Sequence, residues 1–200
     1  FRSKINWIWG ISIPGFTYNR ETNSNTTLKE IKRDHYSLSL QHDLTINKLN
    51  INLGLSGSYY DDSGWFAAPG YQLVYNINKN ANIYHKYDYG FRLPSFYEMY
   101  ADDYIYSGNE NIEGESINSF EYGMQLYGTA MTMTISQCYK NNQNVIDWYQ
   151  SGNSGIEKWK TTNIADVLTS GHNIRVDLYP AIIKNLSFID RLEVGYAHLD

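Results

Sequence analysis

Apolar and polar side chains alternate along most of this chain, and a period of two leaves room for little except strands with one apolar face. Between His35 and Ile46, Tyr36, Leu38, Leu40, Leu44 and Ile46 share one parity, while Ser37, Ser39, Gln41, Asp43 and Thr45 share the other. The next stretch repeats the division, with Leu49, Ile51, Leu53, Leu55 and Tyr59 set against Asn50, Asn52, Gly54, Ser56 and Ser58. The same test predicts further strands near 4–13, 71–77, 81–92, 116–127, 130–139, 164–179 and 187–199, roughly nine in all, and no helix. Most are long enough for the roughly 9–11 residues that a tilted strand needs to cross a bilayer.

The links between strands sort by end. Short ones are expected at Asn47-Lys48, Asn78-Lys79-Asn80, Gly128-Thr129 and from Pro180 to Asn185, and long ones at 14–34, 61–70, 93–115 and 140–163. Strict alternation of short and long fits an up-and-down transmembrane barrel, with tight turns at the periplasmic rim and long loops outside. A soluble β-sandwich also carries one wet face, but it has no reason to sort its loops. Composition favours the barrel: 19 Tyr and 5 Trp stand beside only 4 Pro. Such rings form the girdles where lipid meets water. The mean hydropathy of −0.50 is compatible, because a barrel strand needs only every second residue apolar.

Several classes drop out. A net charge of −5 argues against nucleic acid as a partner. Cys138 is the one cysteine, so no intrachain disulfide can form. No run approaches the roughly 18 apolar residues of a membrane-spanning helix. Phe1-Arg2-Ser3-Lys4 is not a signal peptide and opens directly into a strand-like segment, so the chain reads as part of something longer. The charges Asp43, Lys86, Asp88, Arg92, Glu121, Arg175, Asp177 and Glu193 all take the polar parity. A Lys or Arg on the lipid face near the midplane would cost about 2–4 kcal/mol. His42, His85 and Asp190 break the rule; the histidines are expected neutral or near an interface, and Asp190 beside a turn.

Two neighbouring motifs are more specific. Tyr84-His85-Lys86-Tyr87-Asp88-Tyr89-Gly90-Phe91-Arg92-Leu93-Pro94-Ser95-Phe96-Tyr97-Glu98-Met99-Tyr100 resembles the passage of TonB-dependent receptors in which a Tyr-rich strand runs into Phe-Arg-x-Pro and then Glu-Leu-Tyr. Gly108-Asn109-Glu110-Asn111-Ile112-Glu113-Gly114-Glu115-Ser116, followed by Phe120-Glu121-Tyr122-Gly123, is similar to the Gly-Asn-Pro-x-Leu-x-Pro-Glu-x-Ser then Glu-x-Gly of the same family. Glu110 and Gly114 replace the two prolines and Ile112 the leucine. Asn144-Val145-Ile146-Asp147-Trp148, Lys158-Trp159 and Asn163-Ile164-Ala165-Asp166-Val167 extend the match, and Tyr196-Ala197-His198-Leu199-Asp200 is similar to a family strand end. After Gly171 the family glutamate is replaced by His172-Asn173. The resemblance covers residues 71–200 well and 1–70 only by pattern. The Asn144–Trp148 stretch, with the later Lys158-Trp159 and Asn163, is particularly similar to cobalamin receptors, but loop segments common across the family account for it slightly better.

The resemblance implies a barrel of about 22 strands filled by an N-terminal plug, of which this chain would hold roughly nine strands and neither plug nor terminal strands. It implies an outer-membrane importer of a scarce ligand such as cobalamin or an iron chelate. Such a receptor is embedded in outer-membrane lipid, is driven by the TonB protein through the plug, and has neither enzymatic chemistry nor a cofactor. Phe91, Arg92, Pro94, Glu98, Gly108, Asn109, Glu115, Glu121 and Gly123 carry the family motifs, and Arg92 and Glu121 are expected either to pair with each other or with the plug, or equally to stand as lumenal charges satisfied by water. Ligand contacts are expected from loop aromatics, which offer area at low entropic cost: Trp65 and Phe66; Tyr97, Tyr100, Tyr104 and Tyr106; Trp148, Tyr149 and Trp159. Each ring could equally be girdle or loop packing.

Asp61-Asp62 and Asp102-Asp103 lack a calcium-loop pattern, and the five histidines show no zinc spacing. There is no Gly-x-Ser-x-Gly elbow and no phosphate loop. A membrane phospholipase would need a Ser-His pair on the lipid face, and no serine is expected near His42 or His85 on that face. A passive porin and a soluble sandwich adhesin or carbohydrate-binding module stand as alternatives.

Overall fold

The computed structural model describes residues 1–23, 30–150, 157–179 and 188–200. Its strands are β1 (Ile5–Trp7), β2 (Gly10–Asn23), β3 (Ile31–Ile46), β4 (Leu49–Tyr60), β5 (Gly64–Asn78), β6 (Ala81–Arg92), β7 (Tyr106–Ser107), β8 (Glu115–Tyr127), β9 (Met131–Gln143), β10 (Ile146–Tyr149), β11 (Trp159–Asn163), β12 (Val167–Leu178) and β13 (Leu192–Leu199). Ten form one sheet in the order β1-β2-β3-β4-β5-β6-β8-β9-β12-β13, every neighbour antiparallel. This is up-and-down topology, in an open sheet that does not close on itself. Strands β7, β10 and β11 make a second, small sheet. Among the described residues no helix is long and apolar enough to cross a membrane.

The registers put the alternation to work. Leu40 faces Pro14 and Leu55, and Ile135 faces Met124 and Ile174. This face leaves Leu38, Leu40, Leu55, Ile83, Ile135, Ile174 and Val194 exposed. The opposite face buries polar groups instead: Ser58, Asn82, Ser136 and Asp177. Burial without partners would be costly, and most partners come from neighbours on the same face; Asn82 donates its Nδ2 to the Tyr127 hydroxyl at 3.1 Å but leaves Oδ1 without a partner. Ser58 Oγ donates to Ser37 Oγ at 3.3 Å, and Asn52 Nδ2 donates to Asp43. Tyr84 donates to Glu121 Oε1 at 2.5 Å, while Lys86 lies 3.5 Å from the same carboxylate. Asp177 accepts from Arg191 at 2.5 Å and from Arg175 at 3.3 Å. All eight charges expected on the polar parity sit on it.

Local chemistry sets the turns. Asn47 adopts φ 53 in the two-residue Asn47-Lys48 link, a conformation that asparagine tolerates and hairpins need. Gly123 has a different task. It faces Tyr84 across the ladder, and a Cβ there would run into the Tyr84 ring, so the missing side chain makes room for a buried phenol.

Four expectations need correction. The predicted 4–13 strand is split by a turn at Ile8-Trp9, and β2 then runs on to Asn23 where a long loop was expected. The link expected at 61–70 shrinks to 61–63, because Tyr59 and Tyr60 pair with Trp65 and Gly64 and continue the ladder. A short helix, α1 (Phe96–Tyr100), and the strands of the second sheet lie inside the links expected at 93–115 and 140–163. Finally, Ser12 does share the apolar face with His42: its hydroxyl lies 2.9 Å from His42 Nδ1 and accepts from Trp7 Nε1 at 3.0 Å. The Asp190 position lies outside any strand, as expected; the Pro180–Asn185 turn falls outside the described residues.

Candidate functional site

The two long connections at the outer rim fold together. The first leaves β6 through Leu93-Pro94 and enters α1, whose start is written in the sequence. Ser95 is the N-cap, its hydroxyl accepting from Glu98 N at 3.2 Å, while Glu98 accepts from Ser95 N at 2.7 Å. This reciprocal box satisfies two backbone donors that a helix start leaves free. Arg92 then forks between two carboxylates. It reaches Glu98 at 2.8 Å and Glu115 at 2.9 Å, and Glu115 in turn accepts the backbone N–H of Ile146 at 2.6 Å. The expected Arg92–Glu121 pair is not formed, because Arg92 faces Glu115 at the strand end and Glu121 faces Lys86 further down.

Asparagines and backbone close the unit. Asn163 accepts from Glu113 N at 2.9 Å and donates to the carbonyls of Glu113 (3.0 Å) and Asn144 (2.8 Å). Asn109 donates to the Thr161 carbonyl at 3.4 Å. Trp159 donates its N–H to the Ile105 carbonyl at 2.8 Å, and Lys158 pairs with Asp102 at 2.7 Å. Strand β11 thus lies between β10 and β7 and ties one loop to the other. Phe96, Ala101, Ile112 and Ile146 are buried inside this unit.

On this base three rings converge. The Tyr97, Tyr106 and Trp148 ring centroids lie 4.9–5.8 Å apart, in tilted and edge-on contacts. Tyr97 donates to Asp103 at 2.9 Å, and Asp103 also caps the N–H groups of Ile105 and Tyr106 at 2.7 Å each. Those N–H groups and the phenol hold Asp103 below the usual carboxylate range, while burial and the Asp103 bond push the Tyr97 phenol up. Burial pushes Glu98 up, but Arg92 and the Ser95 donors more than offset it and leave its carboxyl below the ordinary range. An open cleft of about 870 Å³ lies beside this unit, lined by Ile31, Met99, Tyr100, Ala101, Asp102 and residues 107–111.

Of the nine aromatic residues expected to meet ligand, Tyr97, Tyr106 and Trp148 form the cluster. Trp159 faces Tyr106 across the strand pair, and Tyr100 lines the cleft. Tyr104 and Tyr149 are exposed. Trp65 and Phe66 lie elsewhere. Trp65 packs on Tyr59 at 5.2 Å on the apolar face, and Phe66 stacks on Phe91 at 4.5 Å beyond the last β5–β6 rung. The motif residues Phe91, Arg92, Pro94, Glu98, Gly108, Asn109 and Glu115 gather at the base of the loop unit; Glu121 and Gly123 sit in the wall around Tyr84. Asp62 is taken by Arg33 at 2.6 Å. Among the described residues no group of three or more His, Cys, Asp or Glu could hold a metal ion. Sequence reasoning missed Arg33, which is 3% exposed; nothing in the local pattern distinguishes it from any charge near a loop.

Comparison with known proteins supplies the rest. The family described as TonB dependent receptor-like, beta-barrel matches residues 4–195. The vitamin B12 transporter BtuB of Vibrio vulnificus is 28% identical over 96 residues, which is 48% of this chain and 15% of that protein. The siderophore receptor PirA from Pseudomonas aeruginosa superposes on 99% of this chain with a TM-score of 0.79 at 13% identity, and the FrpB iron transporter from Neisseria meningitidis on 100% with 0.72 at 10%. The chain spans 38% and 34% of those two structures.

Proposed function

Because the chain belongs to the TonB-dependent receptor family as part of its β-barrel, we propose that it forms the wall and outer-loop sector of an outer-membrane importer of a scarce ligand. Receptors of this family are bacterial outer-membrane transport proteins, and the wall has the faces that a bilayer demands. We assign residues 1–200 to the barrel of a longer protein, with a plug and further strands supplied outside them. TonB would act on that plug, and the loop unit would catch ligand from outside. No covalent chemistry is assigned to the chain.

The observation that carries this reading is the Tyr97–Tyr106–Trp148 cluster, held at the outer rim by two interlocked loops. Aromatic rings gathered in one patch are among the side chains on which binding energy concentrates once a ligand desolvates them. Among ligands a corrinoid is tried first, because the BtuB relative is 28% identical over 96 residues, whereas the structural neighbours at 10–13% identity support the fold alone. The test is binding of cyanocobalamin and of a ferric catecholate to the full-length receptor. Trp148→Ala should weaken the preferred ligand about tenfold or more while leaving heat-modifiable mobility unchanged. If neither probe binds the intact receptor, or Trp148→Ala binds as well as the parent, the loop unit is not the capture surface.

A further inference from the structure

Arg33 is a cation buried where a cation should not be, and its partners explain why. It stands at the outer end of β3, 3% exposed. A guanidinium removed from water is tolerated only when its donors and charge are matched. Its Nε donates to Asp62 at 2.6 Å, and Glu21, its rung partner on β2, lies 3.6 Å away. Its Nη1 donates to the Pro94 carbonyl at 3.0 Å, and its Cζ lies 4.9 Å from the centroid of the Phe96 ring.

These partners come from three separate places on the rim: one strand end and two connections. Glu21 belongs to the β2–β3 rim, Asp62 to the β4–β5 turn, and Pro94 and Phe96 to the β6–β8 loop. Strands β4 and β5 separate β3 from β6 in the sheet, so Arg33 reaches Pro94 across two strands. Pro94 and Phe96 flank the Ser95 N-cap of α1. From α1 the contacts continue through Glu98, Arg92 and Glu115 to the N–H of Ile146 in the β9–β12 connection.

We propose that Arg33 is the positioning residue that locks the ring-bearing loop unit onto the β2–β5 rim, so that this rim, residues 93–114 and residues 144–149 move as one body. The guanidinium suits the task because its planar fork serves a carboxylate and a carbonyl at once while its face lies on a ring. A lysine keeps the charge but cannot do all three. The functional consequence rests on the capture reading above: loosening at residue 33 should reach Trp148, although the two share no contact among those described.

Hydrogen exchange on the full-length receptor in detergent tests this without any ligand. Arg33→Met should raise exchange roughly tenfold or more, the scale expected from losing a bond to a charged group, at residues 95–101 and also at 144–149. Exchange in the β8 and β9 ladders should stay as in the parent. Arg33→Lys should fall between the two. Phe96→Leu, which removes the ring and leaves every charge, should loosen the same two segments. Exchange that rises only around residues 21, 33 and 62, or equally across the whole sheet, overturns the proposal. Cyanocobalamin binding separates the two claims. If Trp148→Ala weakens binding and Arg33→Met leaves both binding and 144–149 unchanged, the capture reading stands and the lock fails. If Arg33→Met loosens 144–149 and Trp148→Ala changes nothing, the lock stands and the capture reading fails.

Discussion

The wall and the loop unit bury opposite things. In the ten-stranded sheet the side chains removed from solvent are Arg33, Ser58, Asn82, Ser136 and Asp177 together with the phenol of Tyr84, whereas Leu38, Leu55, Ile83 and Ile135 stand exposed. In the loop unit the order reverts towards that of a water-soluble protein: Phe96, Ala101, Ile112 and Ile146 are inside together with Thr161, and Tyr104 is 95% exposed. One chain thus carries two solvent rules. Such a switch is what a membrane wall topped by water-exposed loops requires, because an apolar outer face is favourable only if its solvent is lipid, and an apolar core is needed only where the solvent is water.

Substitutions can break that contrast. The largest effect is expected from Ile135→Lys, on the exposed apolar face of β9. It should destabilise the folded receptor in bilayers by about 2–4 kcal/mol, read by urea titration of folding into liposomes. Thr134→Lys, one residue away on the polar face, should change stability far less, and equal effects would mean that the two faces share one solvent. Next comes Ile112→Ala in the loop core. A cost of about 2 kcal/mol, the low end for such a truncation, should appear as faster hydrogen exchange at 93–114 and not as a lower stability of the wall. The smallest effect is acid loosening of α1. Glu98 is held below the ordinary carboxylate range once burial is outweighed by Arg92 and Ser95. Its stabilising share is therefore present above the unfolded carboxylate value and lost as pH falls through the lower folded one. The protection factor at 95–101, which divides out the intrinsic pH dependence of free-amide exchange, should be flat across neutral pH and fall only in acid, and Glu98→Gln should flatten that fall. A transition near neutral pH would assign it to another group.

The same contrast decides what could be read from the sequence. The wall was legible because its two faces differ in polarity, and a period of two records that directly. The ladder was misjudged where it rises past the apolar band. Residues 14–23 were expected in a loop, yet β2 continues there, held by rungs such as Arg20 against Asp34, which bond at 2.7 Å. Where no lipid enforces alternation, the pattern no longer tells strand from loop. The Phe91–Tyr100 and Gly108–Gly123 motifs located the base of the candidate site, and the capping box Ser95–Glu98 was present in the sequence as the start of a helix that was not predicted. The loop unit as a whole was hidden, because its ties join residues far apart: Arg33 to Pro94 spans 61 positions, and Asn163 to Glu113 spans 50. The small sheet depends on a parallel β7–β11 contact of two rungs, too short for any periodic signal.

The central claim is that the sheet is a membrane wall with its apolar face to lipid and its polar face to an aqueous lumen. The most direct measurement places single labels along β9, in a Cys138→Ser background of the full-length receptor in liposomes, and compares quenching by lipid-borne and water-soluble agents. Labels at Met133, Ile135 and Tyr139 should be quenched from the lipid, and labels at Thr132, Thr134 and Ser136 from water or by neither agent. Lipid quenching that ignores parity, or water-soluble quenching of both faces alike, would contradict the wall and with it the importer.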